Sequence, residues 1–261
     1  MNRAVLDSAA ISSCLWSVPP DALSLENDEV HVWRAPLDLD ASQVESLYGL
    51  LTAEETARAG RYYFHRDHRR FVVGRGLLRI MLGRYLKAAP ERIRLCITPH
   101  GKPELAGEDG NQTVRFNLSH SDGLALYAFT RNRKIGVDLE LISRHHGDER
   151  IPERFFSPRE VGALRRLPAD VQLEAFFNCW TRKEAYIKAI GDGLSMPLDQ
   201  FDVSLAPGEP AALLSTKGDP REASRWSLRS LIPAPGYVGA LAVEGHDWRL
   251  RGWEWPDGSE S

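Results

Sequence analysis

The order of patterns along the chain points to an α+β protein built from two comparable lobes. Two observations carry that expectation. Residues of helical periodicity alternate with short period-2 runs in both halves, and each half offers two helices with several strands. In the first half, "EVHVWRAPL" alternates as a strand. Thr52 and Glu55 stand at capping-box spacing and open a helix over "TAEETARAGRYYF". "DHRRFVVGRGLLRIMLGRYL" reads as a longer amphipathic helix, followed by the strand "IRLCITP" and the tight loop "HGKPEL". "TVRFNLSH", "LALYAFT" and "KIGVDLEL" are three further strands. In the second half, Ser157, Pro158 and Glu160 start a helix. Another runs from about Asp170 to Ile190 and stops at Gly191. "FDVSL", "RWSLRSLI", "YVGALAVE" and "WRLRGWEW" follow as strands. The predicted division is residues 1–131, with 1–27 a loosely packed lead-in, and residues 132–261, with 255–261 a frayed tail.

The chain has 261 residues, 43% hydrophobic and 26% charged, with a formal net charge of −3. That suits a soluble protein with a full core. No apolar run approaches the ~20 residues of a membrane span. The N-terminal stretch lacks the apolar core of a secretory signal, so a cytoplasmic location is expected. Cys14, Cys96 and Cys179 are too few and scattered for a disulfide framework or a zinc site. Charge is uneven: between Arg58 and Arg94 eleven Arg or Lys residues face only Asp67 and Glu91. Such a run is either a solvated face or a landing surface for phosphates or an acidic protein. The slightly acidic total argues against nucleic acid.

Three constellations carry chemistry. In the strand "IGVDLEL", Asp138 and Glu140 sit two apart and point the same way. Paired carboxylates repel unless a cation compensates, and a hard ion such as Mg²⁺ would do so. An edge strand facing water is the plain alternative. In "WTRKEAYIK", Glu184 and Lys188 lie one turn apart on the face that begins with Phe177. On the surface such a pair is worth only about 0.2–0.5 kcal/mol; in an enclosed space Glu184 adds a third carboxylate and Lys188 a phosphate-neutralising cation. In "FNLSHSDG", Ser119 and a cationic His120 are candidate phosphate donors, with Lys102 of "GKPE" beside them. No nucleophilic triad and no Walker pattern is present. Together these residues describe a Mg²⁺-dependent phosphate-ester enzyme, with Arg75 a further candidate for the ligand's phosphates.

"IGVD", 41 residues, then "WTRKEAYIK" resembles the bipartite signature of the 4′-phosphopantetheinyl transferase superfamily. "GKPEL", "FNLSHS", "RFFSPRE", "GDGLSMPLDQFDVSL" and "PGYVGALAV" resemble further blocks of its larger type, the kind that activates surfactin synthetase. The resemblance implies two similar α/β lobes related by pseudo-twofold symmetry, with coenzyme A in the cleft between them. It implies transfer of the 4′-phosphopantetheine arm to a serine of an acyl or peptidyl carrier protein, with release of adenosine 3′,5′-bisphosphate. Asp138, Glu140 and Glu184 would ligate Mg²⁺, or Mn²⁺ in its place. Lys102, Ser119, His120 and Lys188 would hold coenzyme A phosphates, and Arg58 falls where some relatives place a lysine on the 3′-phosphate. Glu55 and Phe71 replace a lysine and a threonine near the nucleotide, work that Arg75 and Arg70 would take over. Glu184 is the candidate base, and Lys188 and His120 complete the expected catalytic set. Carrier proteins are acidic around their serine, so the basic segment would steer them. Two fused lobes make a monomer the economical expectation. The alternatives are a Mg²⁺-dependent hydrolase of coenzyme A or another pyrophosphate, and a non-catalytic binding module.

Overall fold

The computed structural model describes residues 16–99, 101–106, 114–143, 151–191 and 196–256. Most of the predicted lead-in (1–15) and most of the tail (257–261) lie outside them, as do His100 and residues 192–195 of the quoted blocks. Of the first-half elements, β1 is Trp16–Ser17, β2 Glu29–Pro36, α1 Ala41–Tyr48, α2 Ala53–Ala59 and α3 His65–Leu86. Then come β3 Leu95–Ile97, β4 Pro103–Leu105, β5 Val114–Ser121, β6 Leu124–Arg131 and β7 Ile135–Leu141. The second half adds α4 Ile151–Phe155, α5 Pro158–Arg166 and α6 Ala169–Ile190. Its strands are β8 Phe201–Val203, β9 Leu213–Thr216, β10 Trp226–Leu231, β11 Tyr237–Glu244 and β12 Arg249–Glu254. The capping boxes at Thr52/Glu55 and Ser157/Glu160 both form, and α6 ends at Gly191, whose φ of 86° is the left-handed cap a side chain would strain. An unexpected third box, Asp40 with Gln43, starts α1.

Strand alternation sorts the side chains into layers. The first sheet runs β1-β12-β2-β6-β5 and the second β10-β11-β7. On β2 and β6, Trp33, Ala35, Tyr127 and Phe129 turn to one side and pack with Val72, Val73, Leu77 and Met81 of α3. Their neighbours Val30, Val32, Leu126 and Ala128 turn to the other side and meet Ile135, Val137, Leu139, Leu241 and Val243 of the second sheet. The far face of that sheet, with Ala240 and Ala242, packs on α6. The result is four layers, helix, sheet, sheet, helix, with each half a 22-residue helix on a sheet, mixed in the first half and antiparallel in the second. This is the expected two-lobed α+β architecture.

The two helices sit at different heights because the strands beneath them differ. Trp33, Tyr127 and Phe129 hold α3 off its sheet, whereas α6 lies backbone-close on β7 and β11. Gly136 makes that approach possible: a Cβ there would come within 2.0 Å of the Ala185 carbonyl oxygen. The division of the chain at residue 132 needs one correction. β12 lies in the first sheet, parallel to β2 with Arg249 opposite Glu29, so residues 249–254 belong structurally to the first lobe. The physical reason is edge pairing: β2 has β6 on one side only, and the returning chain covers its other edge.

Candidate active site

Where β5 and β7 run side by side at the seam of the two sheets, side chains rather than backbone stitch them together. Asn117 accepts from the Val137 amide (2.8 Å), Ser119 donates to Asp138 Oδ1 (2.7 Å), and Ser121 donates to Glu140 Oε2 (2.7 Å) while accepting from the Leu141 amide (3.1 Å). The period-2 spacing of 117, 119 and 121 turns all three toward β7. Over this seam opens a cleft of about 1020 Å³, walled by α3, α6 and the loop before β4. All ten residues singled out by sequence line it: Arg58, Arg70, Arg75, Lys102, Ser119, His120, Asp138, Glu140, Glu184 and Lys188.

The acidic wall is strained electrostatically. Asp138 is 3% exposed; its Oδ1 accepts from Lys188 Nζ (2.6 Å) and Ser119, while Oδ2 is buried with no hydrogen-bond partner. Burial, then the charge of Asp138, pushes the Glu184 carboxyl above its usual range; Lys188 opposes this and Glu140 adds to it. The three carboxylates thus feel one another, yet among the described residues no three acidic, His or Cys side chains close into a finished metal cage. The ammonium of Lys188 stands on Asp138 instead.

The basic wall divides into free and committed groups. Lys102 is pinned by the turn around Gly101 (φ 83°), where Thr98 Oγ1 accepts from its amide, and its Nζ crosses to the Lys188 carbonyl oxygen (2.9 Å). Burial, above all, lowers its pKa. Arg75 is 9% exposed and leans on Glu55 at 3.6 Å, leaving Nη1 buried without a partner. Arg70 is held differently from the expectation of a free phosphate ligand. Its guanidinium forks onto both oxygens of Asp38 (2.8 and 2.6 Å) and onto Asp122 (2.9 Å), which pulls its pKa up. Arg70 therefore tethers the β5–β6 turn. His120 is open to the cleft, and crowding by its walls, then Lys188 and Arg70, lowers its pKa from the ordinary value.

Two residues of "WTRKEAYIK" have structural duties that spacing does not reveal. Lys183 is fully buried on the side of α6 away from the cleft, donating to the Leu198 (2.7 Å) and Phe201 (2.6 Å) carbonyls and pairing with Glu160 (2.8 Å). Arg182 reaches Ser204 and Ser230. Sequence reasoning also passed over Tyr62, Trp180 and Ser121, all of which line the cleft. For Ser121 the alternation within "NLSHS" was an available signal.

Comparison with known proteins identifies the family. Residues 134–242 match the 4′-phosphopantetheinyl transferase superfamily, and residues 38–131 match the N-terminal 4′-phosphopantetheinyl transferase family. The chain is 42% identical to the 4′-phosphopantetheinyl transferase HetI of Nostoc sp., over 92% of this chain and 98% of that one. It is 31% identical to the 4′-phosphopantetheinyl transferase Sfp of Bacillus subtilis, over 64% and 72% respectively. The holo-[acyl-carrier-protein] synthase of Thermotoga maritima superposes over 44% of this chain and 64% of its own, with 18% identity and a TM-score of 0.34, too loosely to argue from. On the full-length match and the two family matches, this chain belongs to the 4′-phosphopantetheinyl transferase superfamily.

Proposed function

We propose that the chain transfers the 4′-phosphopantetheine arm of coenzyme A to a serine of an acyl or peptidyl carrier protein, releasing adenosine 3′,5′-bisphosphate. The observation that carries this reading is the convergence of three carboxylates (Asp138, Glu140, Glu184) and five cations (Arg58, Arg70, Arg75, Lys102, Lys188), from both lobes, on one cleft. In the reaction the serine Oγ forms a bond to the phosphorus that bears the pantetheine arm, and the bond from that phosphorus to the nucleotide side breaks. Negative charge builds on the leaving phosphate, and the serine must lose a proton.

Asp138, Glu140 and Glu184 fit a hard divalent ion such as Mg²⁺, or Mn²⁺: the donors are all oxygen, and Asp138 Oδ2 is buried with nothing to bond. Three protein ligands would leave the rest of its shell to ligand oxygens, the usual way Mg²⁺ is held beside phosphates. When bound, the ion would neutralise pyrophosphate charge. Lys188 adds positive charge beside it, and Lys102, Ser119 and His120 hold the phosphates from the β5 side. Arg58 and the unpartnered Nη1 of Arg75 suit the 3′-phosphate. Glu184 takes the serine proton, directly or through a water. Both lobes lie in one chain and together wall the cleft, so we propose a cytoplasmic monomer. Among the described residues no helix is long and apolar enough to cross a membrane.

A mass-shift assay with coenzyme A, Mg²⁺ and an apo carrier protein tests the reading. The carrier gains the arm, chelation stops the gain and Mg²⁺ restores it. Glu184→Gln and Asp138→Asn each slow it by about 100-fold or more. Cleavage of coenzyme A without mass gain by any carrier would sink the proposal in favour of hydrolysis; the relatives named above, all transferases, lend hydrolysis no support.

A further inference from the structure

Six consecutive residues between α2 and the first turn of α3, Arg61-Tyr62-Tyr63-Phe64-His65-Arg66, are all exposed. Tyr63 is 92% and Phe64 63% accessible. The other large exposed hydrophobics among the described residues, such as Val18, Ile97 and Leu214, are single along the chain. Scattered apolar residues on a surface are ordinary; a run of adjacent aromatics is not. Folding does not account for it either. Phe64 occupies the N-cap of α3 and makes no capping hydrogen bond, a position where Ser, Thr, Asp or Asn would stabilise the helix by about 1 kcal/mol. Tyr63, one residue earlier, is too exposed to staple the helix. The two rings stand edge to face at 5.0 Å, so they form one aromatic projection.

We propose that this aromatic knuckle docks the acceptor protein, on a surface apolar at its centre and acidic at its rim. The inference rests on the transfer reading above. Location favours it: Tyr62 and Arg66 line the cleft, so Tyr63 and Phe64 stand on its mouth, where a serine-bearing partner must arrive. Charge favours it as well. Part of the basic segment is already committed, Arg69 to the Leu39 carbonyl, Arg70 to two aspartates, Arg79 to Glu55. Arg61 and Arg66, which flank the rings in the chain, are exposed; Asp67 lies 3.5 Å from Arg66, and Asp38 also feels its charge. Aromatic anchors ringed by arginine have the composition of interface hot spots. A second copy of this chain is disfavoured, because a twofold contact would set these arginines against themselves.

Steady-state transfer, with carrier protein and coenzyme A varied in turn, tests the docking role in a Tyr63→Ala/Phe64→Ala double variant and in Arg61→Glu. The double variant raises the KM for carrier protein about 10-fold or more. Its kcat, its KM for coenzyme A and its melting temperature stay near wild type. Arg61→Glu raises the same KM and flattens its salt dependence. An unchanged carrier KM in the double variant overturns the docking role while leaving the transferase standing, provided the wild-type chain modifies the carrier. A changed KM for coenzyme A instead would assign the rings to the nucleotide. A concentration-dependent dimer that the double variant abolishes would assign them to self-association; either result overturns the inference. Failure of the wild-type chain to modify any carrier removes the transfer reading and this inference together.

Discussion

The Lys188 ammonium lies 2.6 Å from Oδ1 of Asp138, while the other oxygen of that buried carboxylate has no hydrogen-bond partner. One side chain thus holds half of a carboxylate and leaves its other half unsatisfied, which orients Asp138 before any ligand arrives. Lys188 is 28% exposed, so the pair is screened on one side. Removing the cation from so buried an acid costs about 1–3 kcal/mol. Lys188→Met is expected to lower the melting temperature modestly and to slow arm transfer by about 100-fold or more. Thermal unfolding and carrier mass gain, measured on one preparation, check both halves; full activity would remove Lys188 from the chemistry.

Five residues earlier, Lys183 predicts the reverse. Its ammonium is enclosed by Glu160 and two backbone carbonyls, far from solvent. Breaking a buried pair by deleting one partner costs roughly 3–5 kcal/mol. Lys183→Met should therefore unfold at much lower temperature or accumulate as aggregate. The fraction that remains folded should transfer at a near wild-type kcat. A folded, stable, inactive variant would contradict the assignment.

His31 supplies a pH dependence away from the cleft. Trp33 donates to the Tyr85 hydroxyl (2.8 Å), which lies 2.9 Å from His31 Nδ1, and His31 Nε2 faces Glu29 at 3.3 Å. Burial lowers the His31 pKa, against the pull of Glu29. The unfolded chain therefore binds a proton at the ordinary value near 6.5, where the folded chain does not. Its contribution to stability is complete above that value and is lost as pH falls from there toward the folded pKa. Melting temperature should drop between pH 7.5 and 5.5, and His31→Asn should reduce that drop. Parallel slopes for both proteins would exclude His31 as the source.

Much of the fold was legible because local chemistry dictated it. Thr52/Glu55 and Ser157/Glu160 satisfy helix amides within four residues, and the alternation of "IGVDLEL" sets which residues face the core. α1 was missed although Asp40 and Gln43 offered the same signal, because its eight residues make barely two turns, too few for a helical period to stand out. The cleft's membership could be read because the carboxylates and cations lie in short motifs. The partners of the cations could not. Arg70 is claimed by Asp38 and Asp122, 32 and 52 residues away, and Arg75 and Arg79 by Glu55, 20 and 24 residues away. Such pairings follow from tertiary packing, which no local period encodes. The register of β12 on β2 joins residues more than 200 positions apart and is equally silent in the sequence.

That strand makes the molecule a clasp. Trp16 pairs with Gly252 and Arg249 with Glu29, so the beginning and end of the described chain zip together inside one sheet. A piece cut off at residue 131 would leave β2 with a bare, hydrogen-bonding edge, the kind that recruits foreign strands. Neither lobe is thus a transplantable module: swapping halves between relatives must carry the closing strand along with the lobe it completes.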